Sequence, residues 1–309
     1  MMLSIVMQQK NAQKILVGDS QQSIYQWIGA VNALQNTGIK NKVFLSQSFR
    51  FGPAIAEMAN KVLTVLNAEL RLRGLESIDS RLDYVDRPDC YLTRTNATAV
   101  RRLLVELAQG QRPHLMGGGK DVMSFAEGAQ KLKNGMSSEH PDLACFASWT
   151  EVQEYVNHDP QGDELRLLVK LVDDFGPFEI IQAIRGMSSE DRASIVISTA
   201  HKAKGREWHS VELGDDFPTP KEGEGLPSDE ELRLLYVAIT RASHVLDISK
   251  CKLAQVINYE ITANDETDET DEMSDETGFV DDPITIISKS ERNYDFNTMV
   301  FQQMMFELQ

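Results

Sequence analysis

Two rhythms of apolar residues alternate along this chain: short apolar runs, and longer stretches with helical spacing. The short runs predict strands at Ile15–Val17, Val43–Leu45, Cys90–Thr93, His114–Met116, Ile195–Thr199, His209–Leu213 and His244–Ile248. Helical spacing is clearest after Pro53, a favoured first-turn residue. Ile55, Met58, Ala59, Val62, Leu63 and Leu66 share one face of a helix expected to reach Leu70. Further helices are expected over Ala30–Thr37, closed by Gly38, and over Thr98–Ala108. Another follows the cap Ser228, where Asp229, Glu230 and Glu231 suit the first turn and Leu232, Leu235, Tyr236 and Ile239 continue one face. Met1–Lys14 has a weaker helical rhythm. From Val122 to Gly186 the periodicity is helical throughout, with breaks at Gly135, Pro141, Pro160, Gly162 and Pro177. Strands alternating with helices predict an α/β fold on a parallel sheet, interrupted by a helical insertion.

Polar chemistry collects where the predicted strands end, which is where ligands sit in open α/β sheets. Ile15–Val17 runs into Gly18-Asp19, then Gln21, Gln22 and Ser23, then the aromatics Tyr25 and Trp27. Alone, that stretch reads either as a ligand-sensing strand end beside a stacking surface or as a strand, a polar turn and two core aromatics. Phe49 and Arg50 fall in a strand-to-helix loop. Ile195–Thr199 leads into His201, Lys202, Lys204 and Arg206, followed by Glu207 and Trp208. The helix after Ser228 delivers Thr240-Arg241 to its end. Gly117-Gly118-Gly119-Lys120 imitates a phosphate-binding loop but lacks its spacing, and Asp121 stands where a hydroxyl belongs; it is expected to be a turn.

Charge changes the picture only through its distribution. The net charge of −16 argues against a nucleic-acid partner until the run from Asn264 to Asp282 is set aside. That run holds ten acids and no Lys or Arg; without it the remainder carries −6, compatible with a local basic groove. Its Asp-Glu-Thr repeats cannot bury apolar surface and are expected to be disordered. Three isolated cysteines, Cys90, Cys145 and Cys251, form no disulfide framework and fit a reducing, intracellular setting, cytoplasm or nucleoid or nucleus. No apolar run approaches the ~20 residues of a membrane span, and no membrane partner is expected.

Five stretches taken together resemble superfamily 1 DNA helicases of the UvrD/Rep type. GDSQQSIYQWIGA resembles motif III, LSQSFRFGPAIAEMAN motif IV, LTRTN the strand motif after it, STAHKAKGREWHSV motif V, and EELRLLYVAITRA motif VI. The paired glutamines and GAVNAL are most similar to the F-box DNA helicase branch, although no F-box is visible. The resemblance covers roughly residues 15–248. It implies a RecA-like (P-loop NTPase-type) fold: the end of a first lobe over 1–45, and a second lobe over 46–258 with a helical insertion at about 122–190. An acidic tail fills 259–309.

The same resemblance implies residue roles. Gln22 matches a γ-phosphate-sensing glutamine, and Arg50 and Arg241 match two arginine fingers, so these three are the expected catalytic residues. Phe49 matches the aromatic that packs on adenine, Gly205 and Glu207 belong to the nucleotide-binding set, and Glu207 matches a ribose partner. Tyr25 and Trp27 match the single-stranded DNA track, and Thr199 and His201 match residues coupling DNA to the nucleotide. Trp27-Ile28-Gly29 replaces the family's usual Trp-Arg-Gly.

The implied activity is ATP-driven 3′→5′ helicase or translocase action in DNA repair or recombination, with ATP and Mg²⁺ as cofactors. Single-stranded DNA and a separate N-terminal helicase lobe are the implied partners. The sequence contains no Gly-x-x-x-x-Gly-Lys-Ser/Thr loop and no DExx segment ahead of the stretch that resembles motif III, so no metal ligand is expected from it and the chain alone is expected to be a truncated, inactive portion. The competing expectation is a non-catalytic module that binds single-stranded DNA or a partner helicase.

Overall fold

A computed structural model describes residues 5, 7–9, 11, 14–25, 42–158, 163–220 and 225–259. The strands are β1 (Arg81–Leu82), β2 (Cys90–Thr93), β3 (Pro113–Leu115), β4 (Ile195–Thr199), β5 (Trp208–Leu213) and β6 (Ala242–Asp247). They form one six-stranded sheet in the order β1-β6-β5-β2-β4-β3, every neighbouring pair parallel. The helices are α1 (Pro53–Val65), α2 (Asn96–Ala108), α3 (Lys120–Lys133), α4 (Trp149–His158), α5 (Asp163–Phe175), α6 (Pro177–Gly186) and α7 (Asp229–Ile239). A last helix covers 252–259.

Helices cover both faces of the sheet, which is why its central strands read as unbroken apolar runs. Successive side chains on β2 and β4 serve opposite cores. Cys90, Leu92 and Val196 join α1, α7 and the 252–259 helix on one face. Tyr91, Ile195 and Ile197 join α2 to α6 on the other. The long helical stretch of the sequence is thus the crossover from β3 to its neighbour β4. Its entry is Gly117–Gly119, all three with positive φ, the backbone of a turn that leads into α3 at Lys120.

Two predicted strands are absent. Residues 15–17 and 43–45 have no strand assignment, and Ile15, Val17, Val43 and Leu45 are at least three-quarters exposed. Branched residues favour an extended chain, but a strand needs a hydrogen-bonding neighbour, and none lies beside either segment among the described residues. Helix α1 also stops at Val65 rather than Leu70: Asn67 takes a left-handed φ of 50°, and the Asn60 amide bonds both Leu72 N (2.7 Å) and Leu72 O (2.9 Å), turning the chain back. The predicted helix Ala30–Thr37 and the acidic tail lie outside the described residues, as does most of Met1–Lys14.

The loop before α1 is placed by backbone contact. Gln47 bridges Arg73, and Gly52 and Gly74 pass so closely that a Cβ on Gly74 would stand 2.2 Å from the Gly52 carbonyl carbon. Phe49 and Arg50 are carried on this fixed loop.

Candidate nucleotide and nucleic-acid site

Asp19 begins the site. Its carboxylate caps a short 3₁₀ turn, Ser20–Gln22, by accepting from Gln21 N at 2.9 Å, and it accepts from the Gln22 amide Nε2, also at 2.9 Å. The turn is then stitched to the rest of the protein from two sides. From α7, the Tyr236 hydroxyl donates to Asp19 Oδ2 at 2.9 Å and Arg233 Nε donates to Gln21 Oε1 at 3.2 Å. From the loop after β4, Lys204 Nζ donates to the Gln22 carbonyl at 2.6 Å, and the Tyr25 hydroxyl donates to the His201 carbonyl at 2.9 Å. Ile24, between them, is fully buried.

The charges of Arg50 and of Asp19 both act on Tyr236 and Arg241. Arg50 Nε donates to Glu207 Oε2 at 2.7 Å, and its Nη1 reaches the Thr240 carbonyl at 3.4 Å. Both partners of the ion pair keep substantial exposure, 33% and 59% of their side chains. Phe49 is 77% exposed. Gly205 has φ +89° with open space where a Cβ would sit, so its glycine is required by backbone conformation rather than crowding.

Arg241 is different. It is 1% exposed, and its donors are directed to the Val237 carbonyl (Nε, 2.8 Å), the Arg206 carbonyl (Nη1, 3.1 Å) and Thr240 Oγ1 (Nη2, 2.9 Å). Burial, and secondarily the charge of Arg50, push its pKa down to about 10. Asp19, Glu207 and Tyr236 act on it in the opposite sense, so all five groups share one electrostatic neighbourhood.

A second group lines a cleft of ≈ 630 Å³. Tyr25, Thr199 and His201 line it together with Arg94, Asn96 and Lys202, and with Phe125 and Leu168 of the helical crossover. Tyr25 and His201 rings lie 6.0 Å apart, and Lys204 Nζ stands 5.7 Å from the Tyr25 ring centre. Burial first, then the charge of Arg94, lower the His201 pKa. Arg94 is itself held by Glu231, at 2.7 Å, and its backbone N–H donates to Asp216.

The structure therefore brings Gln22, Arg50, Glu207 and Arg241 into one region and Tyr25, Thr199 and His201 into an adjoining one. Trp27 lies outside the described residues. Sequence reading missed Tyr236 and Arg94, although both sit inside the stretches it singled out. For a nucleotide, Phe49, Arg50 and Glu207 are accessible and chemically suited to adenine, phosphate and ribose; Arg241 is turned inward. Among the described residues no three His, Cys, Asp or Glu side chains converge as a metal would need.

A six-stranded, all-parallel sheet covered by helices on both faces is consistent with a RecA-like helicase lobe. Residues 137–253 match the UvrD-like helicase C-terminal domain. Over 274 residues the chain is 28% identical to F-box DNA helicase protein 1 of Schizosaccharomyces pombe, covering 78% of this chain and 31% of that protein. Over 270 residues it is 27% identical to F-box DNA helicase 1 of Gallus gallus, covering 76% and 26%. Residues 137–253 are thus similar to a UvrD-like helicase C-terminal domain, and the chain is a distant relative of these F-box DNA helicases over most of its length, spanning a third or less of theirs.

Proposed function

We propose that this chain forms the second-lobe part of an ATP-dependent 3′→5′ superfamily 1 DNA helicase or translocase acting in DNA repair or recombination. Residues 1–45 then belong to the end of a first lobe and 46–258 to the second. The observation that carries this reading is the meeting of Arg50 with Glu207 and Thr240 next to the docked Asp19–Tyr25 turn. An always-charged fork beside a carboxylate supports reading this spot as a nucleotide site between two lobes. In this reading Arg50 neutralises charge on the transferred phosphoryl, Glu207 takes the ribose hydroxyls and Phe49 stacks on adenine. Gln22 faces the γ-phosphate, and Tyr25, Thr199 and His201 receive single-stranded DNA. Mg²⁺ would accompany the ATP phosphates. Among the described residues no helix is long and apolar enough to cross a membrane.

The test is single-stranded-DNA-stimulated ATPase and 3′→5′ translocation, measured on the chain assembled with a lobe carrying the phosphate-binding lysine. Arg50→Ala should lower kcat on the order of 10³-fold or more, as expected for an arginine finger. Unchanged kcat defeats the assignment. A second reading, a non-catalytic module docking on a partner helicase, is favoured by the exposed strand-like segments Ile15–Val17 and Val43–Leu45. Binding of single-stranded DNA or of a helicase lobe, with no ATPase in any assembly, would select it.

A further inference from the structure

Asp19 Oδ2 accepts two hydrogen bonds, each 2.9 Å, from Tyr236 OH and from Gln22 Nε2. A carboxylate can only accept, so the Gln22 amide must offer its nitrogen here, and its orientation is settled by chemistry. One N–H is spent on Asp19; the second N–H and the carbonyl Oε1 are left for a ligand. The other end of the relay is rigid. The Tyr236 ring is 1% exposed within the core that packs α1 and α7 against the sheet, so its hydroxyl cannot wander. Burial, and then the charge of Asp19, raise the phenol's pKa, so it remains a donor at any working pH. Thr240 N donates to the Tyr236 carbonyl at 3.2 Å, which ties the same turn of helix to Thr240 and Arg241.

We infer that Tyr236 is a positioning residue which, through the Asp19 carboxylate, fixes the Gln22 amide relative to the helix end bearing Thr240 and Arg241. The inference rests on the reading of Gln22 as the group facing the γ-phosphate. Its consequence is that any shift of α7 is transmitted to Gln22 through two hydrogen bonds, with no contact to nucleotide at Tyr236 itself.

Tyr236→Phe tests it, because the ring stays in the core and only the hydroxyl is lost. In the assembled ATPase, kcat should fall about ten-fold or more, the usual worth of a hydrogen bond to a charged group, with KM for ATP unchanged. In a Gln22→Ala background the same substitution should cost nothing further, since residues acting in series are not additive. A Tyr236→Phe enzyme with full kcat, beside an impaired Gln22→Ala enzyme, overturns the inference and leaves the Gln22 reading intact. A fully active Gln22→Ala enzyme overturns that reading and the inference with it. In the 309-residue chain alone, the ¹⁵N-labelled Gln22 side-chain amide should show proton exchange slowed by Asp19, and faster exchange in Tyr236→Phe. Identical exchange in the two proteins also overturns it.

Discussion

Arg50 and Glu207 stand 157 residues apart in sequence and 2.7 Å apart in space. One is carried on the loop welded to Arg73–Gly74, the other on the turn before β5, so their meeting reports that two separately built pieces of backbone are in register. Because both side chains are solvent-accessible, the pair contributes only about 0–1 kcal/mol to stability. Glu207→Gln should therefore leave the urea midpoint nearly unchanged while raising KM for ATP. A large loss of stability would show that the carboxylate is structural.

Arg241 should behave in the opposite way. Arg241→Ala removes three hydrogen bonds made by a buried guanidinium, to the Val237 and Arg206 carbonyls and to Thr240 Oγ1, each worth about 1.5–3 kcal/mol when the donor is charged. Chemical denaturation should show a loss of at least about 2 kcal/mol, whatever happens to activity. Near-wild-type stability would mean that the guanidinium is not anchored as described.

Stability should depend on the protonation of His201. Its folded pKa lies below the unfolded value of about 6.5. The unfolded chain therefore takes up a proton first as pH falls, and folding stability declines from about pH 6.5 down to the folded pKa. Above that window the contribution is fully present. His201→Gln should flatten this part of the stability–pH curve in urea titrations between pH 5 and 7.5; an unaltered slope counts against it.

Tyr25 offers both a ring and a hydroxyl. Tyr25→Ala should weaken single-stranded DNA binding by about 1–3 kcal/mol, the range for one stacked base. Tyr25→Phe should retain most of that affinity and lose only the bond to the His201 carbonyl, about 0.5–1.5 kcal/mol of stability. Fluorescence anisotropy at fixed salt separates the two, and equal affinities for all three proteins would remove Tyr25 from the DNA surface.

The core of the lobe should be unforgiving. Leu235 is fully buried between the sheet and α1. Leu235→Ala should cost about 2–5 kcal/mol, read from the denaturant midpoint at constant slope.

The parts of this fold legible in the sequence are those whose residues meet a single, strong demand. β2 and β4 are apolar on both faces because both faces are covered, and α7 announces itself through the Ser228 cap and its acidic first turn, which the structure bears out with Ser228 Oγ accepting from Glu231 N. What escaped depends on neighbours distant in sequence. Ile15–Val17 and Val43–Leu45 have strand composition but no paired edge. β1 is two residues among charged ones, and is a strand only because β6 offers it an edge. At the site, position within a motif gave Arg50 and Arg241 the same expected role, yet one is accessible and the other is locked against backbone carbonyls. No local pattern distinguishes them; the difference lies in the Val237, Arg206 and Thr240 acceptors that only the folded helix end assembles.

The strand order has a consequence for how this protein is made. β2 lies between β4 and β5, and β1 pairs with β6, the last strand among the described residues. A ribosome releasing the chain from its N-terminus exposes β1 and β2 long before any partner for either exists, and no hairpin can hold them meanwhile. Sheet assembly must wait for residues beyond 195, and the β1 edge for residues beyond 242. Such non-local closure makes for slow folding and a long interval of exposed apolar strand, a window in which chaperone protection would govern the yield of folded protein.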